Sequence, residues 1–525
     1  MMLPEPVSSA MPPPLVEEEG WNGNSEDEAE MTDLGVVIKP TFRSREYWIG
    51  AHSWKNWRWR SILPSYPNLD FDQTNFGKEL AYRKPPIGKY PGIEERREGF
   101  IRLVDHTLLR FREQSQRVRK LRIYFTIVKP TMVSFVNRWI GLATESMVEE
   151  LDLQLPSPRN TCYTLPEAFF AAQSIKVLKL QHLKLELPSH GSIRFHFLQK
   201  LALITVHVDV QVIRSIISKC PLIEEIVLQR CLGLHKVQIS GLFKLKLVDI
   251  LQTDGEIETH IEAPSLQRLS LGHENYRILP SKFNLIACQN LISLCLRRVL
   301  ISDQPFSDLI SGFPLLEVLC VVDCDLLERV KIPNRCLKEL LLYSSTIAEV
   351  DIDSPNLSSL FYSGKMVPLV ASTCGFGQWE AFIALYANDR MDSHWFCKMR
   401  DLLAKSKHFN ALTLSIKCSE ISFDMEDLRG TELSTAPTVE HVILVSLPSL
   451  VGYSAVVDGL MWSCHPKILS LQIRDTQWES GINFIKVLHE KTLSRFDRSC
   501  CHFRSFQCWQ HGLKDIDGDV IQEVI

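Results

Sequence analysis

"VEELDLQL", residues 148–155, places an apolar side chain at every second position of a short run. That alternation belongs to a strand with one face turned into a core. The phrase returns as "IKVLKLQHLKL" from 175, "LQKLALITV" from 198, "LIEEIVLQRC" from 222 and "LKLVDILQT" from 245. It continues as "LQRLSLGH" from 266, "LISLCLRR" from 291, "LEVLCVVDC" from 316, "LKELLLYSS" from 337 and "LSSLFYS" from 357. Successive starts lie 20 to 27 residues apart, and most read L-x-x-L-x-L. One such unit cannot bury its own leucines, but a stack of them can.

A period in this range with this form predicts an α/β fold, a leucine-rich-repeat solenoid. The expectation is a curved parallel sheet, with helices and loops on the convex face. "DVQVIRSIISKCPLIEE" (209–225) and "FSDLISGFP" (306–314) read as connecting helices, while "APSLQRL" and "SPNLSSL" read as short turns. The order extends upstream. Phe100, Val104, Leu108 and Phe111 recur at helical spacing and predict a helix over 93–113. "VRKLRIYF" (118–125) follows as a strand and "MVSFVNRWIGLAT" (132–144) as a helix.

Past 360 the repeat blurs. "SHWFCKMRDLLAKS" (393–406) predicts a helix with Phe396, Met399, Leu402 and Leu403 on one face and Ser393 as its cap. "ALTLSIKC", "VEHVILVSL" and "ILSLQIRD" read as strands, and "YSAVVDGLMWSC" and "INFIKVLHEKTL" as the helices among them. The organisation expected is a disordered acidic, Pro-rich tail over 1–35 and a short helical module over 36–92. A solenoid over 93–365 and degenerate repeats with a C-terminal cap over 366–525 complete it.

The bulk numbers bound the function. The chain has 525 residues, 45% of them apolar and 23% charged, and a net charge of −4. No apolar run is long enough for a membrane-spanning helix, and no secretory leader is read at the start. Residues 1–33 carry nine acidic and no basic side chains. Fifteen cysteines are scattered, several within apolar runs such as those holding Cys288, Cys295 and Cys320. They read as buried free thiols in a reducing compartment, the nucleus or the cytoplasm. Cys320 and Cys324 read as core residues, not as a pair.

Motifs for chemistry are absent. There is no G-x-S-x-G, no phosphate-binding G-x-x-x-x-G-K-[ST] and no H-E-x-x-H. "GFGQWE" (375–380) reads as a turn. Cys500, Cys501, His502, Cys508 and His511 are zinc-type ligands, but their spacing lacks a C-x-x-C pair. "WKNWRWRSILP" (54–64) mixes aromatic and basic residues in a run too short to mark a nucleic-acid site. His182, His207 and His273 fall near strand ends, where a concave edge is expected. The expectation is a binding protein, not an enzyme, with no cofactor and no metal. The outward strand positions Lys179, Gln181, Gln229, Arg297 and Asp323 are the candidate substrate-facing residues.

Several phrases together resemble the plant F-box/leucine-rich-repeat family. "RWRSILPSYPNLDFD" (58–72) is similar to the end of an F-box running into its first strand. "FIRLVDHTLLRFREQSQRVRKLRI" (100–123) and "VNRWIGLATESMVEELDL" (136–153) resemble the helices and strands that follow. "CWQHGLKDI" (508–516) resembles a frequent C-terminal phrase. The resemblance covers about residues 55–516. It implies a substrate-recognition subunit of an SCF-type ubiquitin ligase, in which the F-box binds a Skp-type adaptor joined to a cullin complex. On that resemblance Trp54, Trp57, Trp59 and Leu63 are the candidate adaptor contacts. One departure stands against it. The opening F-box helix pair is not matched, because the nearest phrase, "LPEPVSSAMPPPLVEEEG" (3–20), carries prolines that forbid those helices. Two readings stay open: adaptor contact is lost, leaving a protein-binding repeat module, or sequence upstream of Met1 completes the F-box.

Overall fold

The computed structural model describes residues 67–74, 92–158, 162–188, 193–253, 258–274, 282–285, 287–344, 346–364, 367–370, 379–405, 409–422, 436–446, 452–472, 478–493 and 515–516. Among these, seventeen strands form one all-parallel sheet. They are β1 (Asn68–Asp72), β2 (Lys120–Tyr124), β3 (Glu150–Gln154), β4 (Val177–Gln181), β5 (Lys200–Ile204) and β6 (Glu225–Gln229). Next come β7 (Leu247–Gln252), β8 (Arg268–His273), β9 (Ser293–Arg297), β10 (Val318–Val322), β11 (Glu339–Tyr343) and β12 (Ser359–Gly364). The last are β13 (Trp379–Asp392), β14 (Phe409–Ser422), β15 (Thr438–Ser446), β16 (His465–Leu471) and β17 (Asp515–Ile516). Each strand pairs with the next in chain order, which is the topology of a solenoid. All ten phrases of the repeat contain one of these strands.

The register explains the repeat form. Leu121, Leu151, Leu178, Leu201, Ile226, Val248, Leu269, Leu294, Leu319, Leu340 and Leu360 stand directly opposite one another down the stack. A second row two residues on runs Ile123, Leu153, Leu180, Leu203, Leu228, Ile250 and Leu271. Both rows are buried. A one-residue slip in any strand would turn its leucines to water, so hydrophobic burial fixes the register.

The way back from one strand to the next differs along the chain. Helices α1 (Ile93–Glu113) and α2 (Val133–Glu145) pack together ahead of β3. Further along, much of the return side is strand instead. Tyr163–Thr164, Leu183–Leu185 and His207–Val208 form a small parallel sheet, as do Lys236–Ile239, Glu258–Ile261 and Lys282–Asn284. Arg329–Ile332, Glu349–Ile352 and Leu369–Val370 form a third. Helices α3 (Val210–Lys219) and α4 (Asp303–Ser311) separate these sheets. The short turns expected at 263–269 and 354–360 are turns, each following a second short strand, Glu258–Ile261 and Glu349–Ile352.

The Asp209 side chain caps α3 by accepting the Gln211 backbone N–H at 2.8 Å. Asp209→Ala is expected to cost about 1 kcal/mol, read as a lower urea midpoint, with faster hydrogen exchange confined to 210–219.

Among the described residues the sheet begins at Asn68, inside the span read as a helical module, and continues past 365 without a change of direction. β13 and β14 are long and carry register shifts, which is why the repeat blurs in sequence. Helices α5 (Ser393–Lys405), α6 (Tyr453–Ser463) and α7 (Trp478–Leu493) pack in succession over this part. Phe396, Met399, Leu402 and Leu403 are buried as their spacing predicts. The cap differs from expectation: the Asp392 carboxylate accepts the Trp395 N–H at 3.0 Å, and Ser393 is itself the first helical residue. Gly459 lets α6 approach α5, since a Cβ there would stand 2.4 Å from the Phe396 ring.

Candidate functional site

Strand alternation that buries two rows leaves three on the open face of the sheet. The middle row starts with Asp70, Arg122, Asp152 and Lys179 on β1 to β4. It continues through Ala202, Val227, Asp249 and Ser270. It then becomes apolar: Cys295, Cys320, Leu341, Phe361 and Phe382 on β9 to β13. The open face therefore has two halves of different chemistry.

The first half is satisfied within itself. Arg122 bonds Asp70 at 3.0 Å and lies 3.6 Å from Asp72. Burial raises the Asp70 carboxyl, and the neighbouring guanidinium of Arg122 only partly opposes this. Lys120 reaches Glu150 at 3.4 Å, and Lys200 pairs with Glu225. Such partly exposed pairs are worth up to about 1 kcal/mol each and chiefly fix the charge pattern of the surface.

In the second half the Phe361 and Phe382 rings stack with centroids 4.4 Å apart and planes 2° from parallel. All five residues of the apolar row are only half-buried. Polar residues border them: Glu339 and Glu380 on one side, Arg297 and Tyr343 on the other. A contiguous apolar strip with a charged rim is the composition of a protein-binding core.

The five candidate substrate-facing residues fall in two groups. Lys179 and Gln181 lie on β4 and Gln229 on β6, all on the open face and half-buried. Gln229 donates to the Asp249 carboxylate at 2.6 Å. Arg297 ends β9, exposed, and Asp323 follows β10 in a left-handed conformation with φ 52°. Asp323 is held by Arg298 at 3.3 Å, so it braces the edge of the sheet. The two groups are separated by β7 and β8.

The apolar strip itself went unmarked in the sequence reading. Its signal was present, because in "LCL", "LCV", "LLL" and "LFY" the outward position is itself apolar. Cys295 and Cys320 are corrected here. Both point to the open face, half-buried, whereas Cys288 and Cys324 are buried as read. Parallel pairing puts Cys295 directly opposite Cys320.

The histidines separate as well. His182 is exposed at the strand end, His207 is exposed on the small return-side sheet, and His273 is buried at 2% exposure. Burial lowers the His273 pKa. The unfolded ring titrates near 6.5, so below that pH the unfolded chain binds the proton that the folded chain resists. Stability is expected to fall as pH drops from 7 towards 5.5, and His273→Gln to show a shallower fall in urea midpoint.

Outside the open face, Phe243, Lys244, Lys246, Gln267, Asn290 and Leu315 line a groove of about 630 Å³ along the starts of the strands. Phe243 is 81% exposed beside it. Neither this groove nor the strip brings a nucleophile to a base. Trp54, Trp57, Trp59 and Leu63, the tryptophan-rich run 54–64, the tail 1–35 and Cys500, Cys501, His502, Cys508 and His511 all lie outside the described residues. So do residues 375–378.

With this architecture in view, comparison with known proteins gives two matching family models. One describes the repeats of the FBD-associated F-box protein At5g56370 and matches residues 136–282. The other describes the repeat domain of At1g61320/AtMIF1 and matches residues 265–425. In its repeat array the chain is similar to plant F-box/leucine-rich-repeat proteins. It is 29% identical over 179 residues to the F-box/FBD/LRR-repeat protein At5g56420 of Arabidopsis thaliana, which is 33% of this chain and 42% of that protein. It is 28% identical over 152 residues to the F-box protein At5g03100 of the same plant, 29% of this chain and 47% of that protein. F-box/LRR-repeat protein 13, also from Arabidopsis thaliana, is 24% identical over 221 residues, 41% of this chain and 45% of that protein. The chain thus spans less than half the length of the curated relatives it matches. The matched segments fall within the repeat array with its buried leucine rows.

Proposed function

We propose that this chain is the substrate-recognition subunit of an SCF-type E3 ubiquitin ligase, working in the nucleus or cytoplasm. The observation that carries the reading is the open face of an unbroken parallel sheet, in a chain whose relatives are named F-box proteins. A stack of repeats offers a long rigid surface and needs no chemistry of its own. The apolar strip from Cys295 to Phe382 is the core of the substrate contact in this reading, with Arg297, Glu339 and Glu380 on its rim. Lys179, Gln181 and Gln229 extend the contact towards the charged half. The Skp-type adaptor and its cullin complex engage the N-terminal end through Trp54, Trp57, Trp59 and Leu63.

The experiment is a binding measurement between the purified full chain and a Skp-type adaptor. A stable complex is expected. No complex, with circular dichroism and melting normal, would overturn the ligase reading. It would leave the second reading, a protein-binding repeat module outside ubiquitin transfer. That alternative is favoured by one observation: the phrase nearest to the opening F-box helix pair, residues 3–20, carries prolines where those helices would run.

A further inference from the structure

We propose that Cys295 and Cys320 form an oxidisable dithiol on the open face of the sheet, a modification site for hydroperoxides. The geometry comes from the repeat itself. Cys295 on β9 and Cys320 on β10 are directly opposite in a parallel register. Neighbouring strands lie about 4.8 Å apart, inside the range of about 4.4–6.8 Å that a disulfide requires between its Cα atoms. Both side chains leave the sheet on the same side and are half-buried, so a small oxidant reaches them. Cys220, Cys231, Cys288, Cys324 and Cys464 are buried, and burial raises all five thiols, four of them to about 12.

The surroundings divide the roles. The Cys320 thiol opposite and the nearby Arg297 guanidinium favour a thiolate on Cys295, as does Ser270 on the other neighbouring strand. Burial and Asp249 oppose this without reversing it, and the Cys295 thiol is lowered. Cys320, opposite Cys295, is raised. Thiolates are the reactive form, so Cys295 attacks first. Its sulfur bonds one peroxide oxygen, the O–O bond breaks, and the other oxygen leaves as hydroxide or alkoxide. The product is a sulfenic acid at Cys295. The Cys320 sulfur then attacks the Cys295 sulfur. The S–S bond forms, the S–O bond breaks, and hydroxide leaves and takes the Cys320 proton as water. The two thiols lose two electrons and the peroxide gains them. The bridge links adjacent repeats at the β9 end of the apolar strip, whatever that strip holds.

The test treats the reduced full chain with hydrogen peroxide near stoichiometry, blocks remaining thiols, and maps peptides without reduction. The expected product is a Cys295–Cys320 linked pair, forming about tenfold or more faster than oxidation of any buried thiol, because thiolate fraction sets the rate. Cys320→Ser removes the resolving thiol, so Cys295 is expected to accumulate as a sulfenic acid that dimedone labels. Cys295→Ser is expected to leave Cys320 a free thiol. The proposal is overturned if both thiols of the parent remain alkylatable under these conditions. It is equally overturned if the linkage formed is Cys320–Cys324, or if dimedone ignores Cys295 in the Cys320→Ser chain.

Discussion

Trp139→Ala is expected to remove about 3–5 kcal/mol from the N-terminal repeats, the usual range for emptying a buried aromatic site. Trp139 on α2 is fully buried. Its ring meets Phe125 edge-on at 5.2 Å and Phe100 edge-on at 6.4 Å, while Phe100 and Phe125 stack at 5.8 Å. This cluster fastens α1 and α2 to β2. The indole Nε1–H also donates to Asp105 on α1 at 2.6 Å. Alanine therefore leaves a cavity and a largely buried carboxylate with its guanidinium partner Arg138 alone. Trp139→Phe keeps most of the apolar volume, and its smaller cost of about 1–3 kcal/mol isolates the lost donor.

The damage is expected to stay local. In a solenoid each repeat contacts only its neighbours, so stability is a sum of units and interfaces. Hydrogen exchange over 93–154 is expected to quicken in Trp139→Ala, while β9 to β11 keep their protection. Uniform loss of protection along the whole array would show that the stack unfolds as a single unit, and unchanged exchange over 93–154 would show that the aromatic cluster fastens nothing.

The same locality explains what could be read before the structure. Every L-x-x-L-x-L phrase became a strand because its periodicity and its burial are one fact: alternate residues enter one core. The helices at 93–113 and 393–405 were legible for the same reason at a different period. The second strand that many repeats carry was hidden. "KVQI" (236–239) and "EVDI" (349–352) are short, with two inward positions each, and carry too little alternation to stand out from a turn. The apolar half of the sheet was hidden differently. Outward residues were sought among polar positions, which led to Lys179, Gln181 and Gln229. The apolar outward residues Leu341 and Phe361 sit between inward leucines and merge with them into continuous apolar runs. Only strand geometry tells the two sets apart.

That distinction can be tested on function. Phe361→Ser with Phe382→Ser is expected to weaken substrate engagement by about thirtyfold or more, the loss typical of a central aromatic pair contributing about 2 kcal/mol or more. The fold is expected to survive, because both rings are half-exposed and the stacked pair is worth only about 0.5–1.5 kcal/mol beyond its buried area. The measurement is proximity labelling in the native cell, with parent and variant chains at equal abundance, followed by binding titration of the strongest labelled partner. Lys179→Ala with Gln181→Ala provides the contrast. In the charged half, neighbouring pairs already satisfy much of the polarity, so this second variant is expected to change affinity by about threefold or less. The opposite ranking, with labelling lost in the Lys179 and Gln181 variant and kept in the phenylalanine variant, would move the docking surface to β4–β6 and make the apolar strip a structural seam. The rim explains why the strip is expected to discriminate among partners. Glu339 and Glu380 border it on one side and Arg297 on the other. A ligand that buries the phenylalanines must also face that charge pattern, and unmatched charge at a desolvated rim costs more than the rings return. On the proposed reading, apolar burial supplies the affinity in this arrangement, and the charge order along neighbouring strands selects the partner.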